Sequence, residues 1–367
     1  AAKMGPALLL GAALLLAVLA LFTCFWANDA VDSLLSRLQG AVAYNLSNVF
    51  LQGAFEPVDE ERAHVPLCVE RGRLPDDLRG LYLHVGPNPI KGQVLARMYH
   101  LFDGHGMVHA ARLRPGGECA YSNRWVRTPR YECDRAHGRA VFPCIGEIVG
   151  PLGLIKACVS FVRKPSLLGF PRFARGTANT AVRLWAGRAL ALHEESLPFE
   201  LRLREDGGFE EVGYVDFGGQ LDHNMSAHPT ADPSTGHLVF HGYHADPRVP
   251  AIKWGELAPP AKDTTRGAEP TLRSYQTAPP FPRSRWLWGV PFAHDFAATS
   301  HWALLLCPSI LINPLFIVSR GIFGFEPRAH AYIGLCPRGG HRGGSSGGSG
   351  GRSGAEGGGG RGEARWV

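Results

Sequence analysis

Ala181–Phe217 reads AVRLWAGRALALHEESLPFELRLREDGGFEEVGYVDF. The runs AVRLW and ALALHE flank a tight AGR turn, and FELRLR and FEEVGYVDF flank EDGG. Short apolar runs divided by Gly- and Asp-bearing turns predict antiparallel hairpins. The pattern continues in both directions. Upstream, VHAARLR and CAYSNRWVRT flank PGGE; downstream, HLVFHGY and HWALLLC read as further strands. From Asn48 onward helical periodicity is nearly absent, and only Val149–Arg163 (VGPLGLIKACVSFVR) reads as a helix. The Pro- and Arg-rich stretch Pro247–Arg285 reads as a long loop or insertion. Strands of this length and spacing predict an all-β sandwich, barrel or propeller. There is no strict internal repeat, and diverged propeller blades would not show one.

The ends of the chain differ from this middle. Ala7–Ala27 (ALLLGAALLLAVLALFTCFWA) carries no charge and is long enough to cross a bilayer as a helix. It equally suits a signal peptide or an organelle-targeting segment, so residues 1–27 are set apart from the fold. Trp26 at its edge suits an interfacial position. Residues 28–47 form a short amphipathic spacer containing VDSLLSRLQGAV. Residues 339–367 are dominated by Gly and Ser and are expected to be a disordered tail. The partial β domain is therefore assigned to residues 48–338.

The formal charge of +6 is spread over scattered Arg residues without a basic block. This is a mildly basic surface and not a nucleic-acid footprint. None of the eight cysteines forms a CxxC pair, which argues against a zinc ribbon or a dense disulfide scaffold. The sequence contains no GxSxG elbow, no P-loop, no GxGxxG opening a helix and no HExxH motif. Asp103 in FDGHGM and Asp232 in TADP sit beside turn formers and read as turn caps. Asn45 and Asn224 open glycosylation triplets of a kind that arises often by chance.

Histidine carries the chemical information. Of the sixteen, His228 in MSAHPTADPSTGHLVF and His294 in GVPFAHDFAATSHWALLL each stand where a loop meets a strand. A neutral imidazole so placed can ligate Fe, Zn or Cu, although local composition alone assigns neither residue that role. His237, His241 and His244 in HLVFHGYH, with His223 upstream, have poor strand geometry for an independent three-ligand zinc site.

Several stretches together resemble the carotenoid cleavage dioxygenase family, in its plant and algal form. They are GRLPDDLRGLYLHVGPNP (Gly72–Pro89), MYHLFDGHGMVHAARL (Met98–Leu113), YSNRWVRT (Tyr121–Thr128) and GTANTAVRLWAGRALALHEESLPFEL (Gly176–Leu201). SAHPTADPSTG (Ser226–Gly236), FAHDFAATSHWALL (Phe292–Leu305) and FEPRAHAYIGLCPRGG (Phe325–Gly340) follow in the family's order.

The resemblance implies a seven-bladed β-propeller in which four histidines bind Fe(II). His228 matches the first ligand and His294 the second. Glu194, rather than the adjacent Glu195, matches a glutamate that orients a ligand histidine. The family's third and fourth ligand histidines would fall beyond Arg338, where the sequence turns to Gly and Ser; His341 does not match either. The later blades are expected to be missing, leaving a C-terminally incomplete propeller.

The implied reaction splits a conjugated C=C bond of a carotenoid or apocarotenoid with O2, giving two carbonyl products. Membrane lipid is an expected partner and nucleic acid is not, and the implied location is a membrane of the plastid or endomembrane system. The alternative is a membrane-anchored, carotenoid-binding propeller without iron. Geometry separates the two readings. Ligands to one ion place each ring nitrogen about 2.0–2.2 Å from it, and so about 3 Å from each other. In the alternative, His228 and His294 point apart or face solvent.

Overall fold

The computed structural model describes residues 48–90, 98–162, 173–245, 250–261, 268–278, 289–319, 321–338 and 365–367, with residue 38. The apolar run Ala7–Ala27, its predicted helix and nearly all of the spacer lie outside the described residues. Among the described residues no helix is long and apolar enough to cross a membrane.

The described chain is mostly β, with strands that pair with near neighbours in sequence. The first sheet contains β1 (Arg62–Leu67), β2 (Gly80–Asn88), β3 (His105–Leu113) and β4 (Cys119–Trp125), in the order β1-β4-β3-β2. Two helices follow, α1 (Pro129–His137) and α2 (Gly150–Val162); α2 is the helix expected from the apolar piece at Val149–Arg163. The second sheet is a meander of β5 (Ala181–Trp185), β6 (Arg188–Leu192), β7 (Phe199–Leu203) and β8 (Phe209–Tyr214). The third is a meander of β9 (Thr230–Ala231), β10 (Leu238–Tyr243), β11 (Ile252–Ala258) and β12 (Thr271–Thr277).

After β13 (Val290–Pro291) the fourth sheet begins with β14 (Phe296–Ala298) and β15 (Trp302–Cys307). An excursion through β16 (Ile310–Ile312) and β17 (Phe323–Phe325) makes a small three-stranded sheet with β13. The fourth sheet is then completed by β18 (Tyr332–Pro337) and β19 (Arg365–Trp366). All recorded pairings are antiparallel, and among the described residues no sheet closes on itself.

The hairpins follow from local chemistry. Between β5 and β6 the two-residue turn Ala186-Gly187 has φ of 51° and 76°, while Trp185 pairs with Arg188. Positive φ at both central positions matches the right-handed twist of the flanking strands, and Gly187 supplies one of them without steric strain.

Two expectations are corrected here. Pro247–Arg285 is not a single loop, because it contains β11 and β12. Its prolines lie at 247, 250, 259, 260, 270, 279, 280 and 282, and those at 250, 259, 270 and 279 bracket the proline-free runs that hold β11 and β12. Proline cannot donate to a ladder, so here it delimits strands rather than breaking them. Arg365–Trp366, placed by composition in the Gly/Ser tail, form β19 against Gly334 and Leu335. Gly334 leaves room there for the Trp366 ring to lie across the strand.

The core lies between successive sheets. Along β6, Ala189 and Ala191 join Val85 and Val108 of the first sheet, while Leu190 and Leu192 join Leu238, Phe240 and Leu257 of the third. Along β10, Leu238 and Phe240 face back toward the second sheet, while Val239 and Tyr243 pack with Ala303, Leu305 and Cys307 of the fourth. Side chains alternate faces with period two, so strands apolar at every position are what a stack of sheets requires. Leu190 is fully buried and Leu184 is 58% exposed. Leu190→Ala is therefore expected to destabilise the fold by roughly 2–5 kcal/mol, and Leu184→Ala by no more than about 0.5 kcal/mol. Denaturant midpoints of the two variants check this; equal midpoints would contradict the stacked core.

Candidate metal centre

His228 lies two residues before β9 and His294 two residues before β14, at matching positions of the third and fourth sheets. Their Nε2 atoms are 3.0 Å apart and their rings meet nearly edge-to-face. Phe292 stacks parallel to the His294 ring at 5.3 Å and limits its rotation. Glu194, in the loop after β6 of the second sheet, brings Oε1 to 3.1 Å from His294 Nδ1 and 3.8 Å from His228 Nε2. Its side chain is 14% exposed, against 33% for His228 and 40% for His294. Among the described residues these three form the one group of His, Cys, Asp or Glu whose donor atoms could share a metal ion.

The loop carrying Glu194 is pinned to the third sheet. Asn224 Nδ2 donates to the Glu194 carbonyl at 2.5 Å and to the Tyr243 carbonyl at 2.9 Å. The Ala227 N–H reaches Glu194 Oε1 at 3.3 Å. Gly242 makes room for this arrangement, since a Cβ there would collide with the Asn224 backbone.

His241 ties the two ligand-bearing segments together. Its Nε2 donates to the Ala293 carbonyl at 2.7 Å, so that nitrogen carries the proton. Its Nδ1 faces Ser226 Oγ at 3.5 Å, and the Ser226 N–H donates to the His241 carbonyl at 2.7 Å. Thus the zinc-type reading of the His237/His241/His244 group is excluded by placement as well as spacing. His241 is a buried brace, and His237 faces Glu256 at 3.4 Å. The turn-cap readings of Asp103 and Asp232 agree with their contacts. Asp103 accepts the His100 N–H of its own turn and also the more distant Ile145 and Gly146 N–H groups, and Asp232 accepts the Ser234 N–H and hydroxyl. Asn224, Ser226, His241 and Phe292 build the site, a role the sequence reading gives to none of them; Asn224 and Ser226 are the ends of a glycosylation triplet, and His241 belongs to the group weighed for zinc.

The electrostatics fit a cation. Burial opposes ionisation of Glu194, yet His294, His241 and the Ala227 N–H outweigh it and hold the carboxyl below its usual range. The Glu194 contact is also the chief reason that His294 is held above the ordinary imidazole value, against the opposing effect of burial. Although Glu194 and His294 are at ion-pair distance, His294 Nδ1 and Glu194 Oε2 are buried without a well-aligned hydrogen bond. A carboxylate beside Nδ1 favours the tautomer with its proton on that nitrogen, leaving the Nε2 lone pair free toward His228. Two imidazoles and a carboxylate suit a divalent transition metal, so these residues fit the iron that the family resemblance implies.

Comparison with known proteins follows the same direction. The family model described as RPE65, retinal pigment epithelial membrane protein, matches residues 55–349. The chain belongs to this RPE65/carotenoid oxygenase family. It is 32% identical over 316 residues to carotenoid 9,10(9',10')-cleavage dioxygenase 1 of Arabidopsis thaliana, covering 84% of this chain and 54% of that protein. It is 33% identical over 260 residues to the chloroplastic 9-cis-epoxycarotenoid dioxygenase NCED6 of the same plant, covering 70% of this chain and 41% of that one. A mutant of Synechocystis apocarotenoid oxygenase superposes with a TM-score of 0.55 at 26% identity, over 77% of this chain and 55% of that structure. The chain thus spans about half the length of the relatives it matches.

Glu194→Gln is expected to weaken Co(II) or Zn(II) binding about 10–100-fold, as loss of a carboxylate behind a ligand histidine typically does. His228→Ala and His294→Ala should abolish specific binding, read by calorimetry on the full chain. Bound imidazoles must be unprotonated, so affinity falls as pH drops through the His294 pKa. Glu194 raises that pKa, so the loss should begin at higher pH in the parent chain than in Glu194→Gln. Coincident pH profiles would show that Glu194 does not act on His294.

Proposed function

We propose that the chain is the N-terminal part of a non-haem Fe(II) dioxygenase that cleaves a conjugated C=C bond of a carotenoid or apocarotenoid. The observation that carries this reading is the 3.0 Å approach of His228 Nε2 to His294 Nε2, backed by Glu194, in a chain of this family. On this reading the four sheets are successive blades of a seven-bladed propeller. Two further ligand histidines would come from later blades, each at the start of a leading strand as His228 and His294 are. The convergence favours the iron-binding reading over a carotenoid-binding propeller without iron.

Iron(II) held by His228 and His294 would supply the redox and O2-binding capacity that cleavage needs. The balance is simple: one C=C bond and one O2 give two C=O groups, with no external reductant. This chain's residues contribute placement. Glu194 fixes the proton of His294 on Nδ1 and aims its Nε2. Phe292 holds the ring plane, and His241 of β10 locks the backbone before His294 to the loop that carries Ser226 and His228. The names of relatives such as the chloroplastic NCED6 support a plastid location, and the apolar run Ala7–Ala27 supports contact with lipid.

The test is incubation of the Fe(II)-supplied chain, and of the same chain extended by its family's later blades, with β-carotene and an apocarotenal in air. Aldehyde or ketone products carrying 18O from 18O2 are expected from the extended protein and should vanish in His228→Ala. An extended protein that binds iron but yields no carbonyl product with either substrate would refute the reading.

A further inference from the structure

The residues around Arg338 lie at the opposite ends of the two strands that carry the candidate ligands. The third sheet leads with β9, where His228 stands two residues before the strand and Asp232 directly after it. The fourth leads with β14, where His294 stands two residues before the strand and Thr299 directly after it. One guanidinium holds both far ends. Arg338 Nη2 is 2.7 Å from Asp232 Oδ2, and Nη1 donates to the Thr299 carbonyl. The same side chain forks onto Glu256 of β11, with Nε 2.6 Å from Oε1 and Nη2 3.3 Å from Oε2. Its backbone N–H donates to the His301 carbonyl at 2.8 Å.

The cluster is dry. Arg338 and Glu256 side chains are each 6% exposed and Asp232 is 9% exposed. His237 faces the cluster from β10's leading end, at 3.4 Å from Glu256. Two carboxylates so placed would repel without the cation, and only a planar, multi-donor fork can meet both of them and a carbonyl at once. The apolar cluster between these sheets already supplies adhesion. A buried ion network adds little net stability to that, but it does select one relative geometry.

We propose that Arg338 is a positioning residue for the metal centre: by gripping Asp232 and Thr299 it sets the angle between β9 and β14, and hence the His228–His294 separation. The inference rests on the metal-site reading above. At about 3.3 Å per residue, the clamp acts over about 13–17 Å of extended chain on each side. A tilt of a few degrees at the clamp becomes a shift of about 1 Å at the imidazoles.

Arg338→Lys keeps the charge and loses the fork. Leu305→Ala weakens the same interface from within the apolar cluster and serves as the comparison for simple loss of stability. In the full chain, Arg338→Lys is expected to lower Co(II) affinity about tenfold and to alter the ligand-field absorption spectrum of the bound ion. Leu305→Ala should lower the melting temperature at least as much while keeping the parent spectrum. In the metal-free chain, the imidazole 15N shifts of His228 and His294 should move in Arg338→Lys and stay in place in Leu305→Ala. Parent-like spectra and shifts in Arg338→Lys, or equal changes in both variants, would overturn the proposal. If the parent chain takes up no Co(II), the metal-site reading fails, and the metal-free imidazole shifts still decide whether Arg338 sets the gap.

Discussion

A strand that is apolar on both faces has to be covered on both sides, and this constraint organises the molecule. β6 and β10 meet it by sending alternate side chains to different neighbours, so the second sheet needs the first and third, and the third needs the second and fourth. Once the sheets are stacked, the ends of their leading strands come together. That meeting of strand ends is what places His228 beside His294, although 66 residues separate them in sequence. The site is thus a product of the packing, with the chemistry mounted where the sheets converge.

The donor set is shaped by burial as much as by identity. The carboxylate beside His294 holds that imidazole above its ordinary value, although burial acts in the other direction. Glu194 remains ionised in a place that disfavours charge, because histidines and an N–H converge on it. It comes from the second sheet while the histidines come from the third and fourth. Three sheets therefore contribute to one small centre, and the loop bearing the carboxylate is sewn to the third sheet through Asn224.

The hairpins were legible in the sequence because their signals are local: AGR and EDGG lie between the strands they join. Pro247–Arg285 was misread for the opposite reason. Its prolines dominate the composition, whereas the proline-free spans between them decide the structure. His228, His294 and Glu194 stood out through resemblance to a family, since nothing in the neighbouring residues separates a ligand histidine from a core one. His241 and Asn224 carried no such mark. Their partners, the carbonyls of Ala293 and Glu194, lie 52 and 30 residues away, and contacts of that range follow from the fold alone. Arg338 was read as part of a family motif without a task, because its carboxylate partners belong to another sheet.

The apolar clusters that straddle consecutive sheets have a further meaning for how the chain acquires its shape. Each sheet is stabilised by its immediate neighbours, so cohesion runs along the chain as a series of pairwise couplings. Folding in such an array can start at any adjacent pair and spread outward, with every step completing one interface. The third and fourth sheets are an adjacent pair, and both histidines belong to them. The spacing of the imidazoles is therefore written into a single interface, and it can be set early, before distant parts of the array have formed.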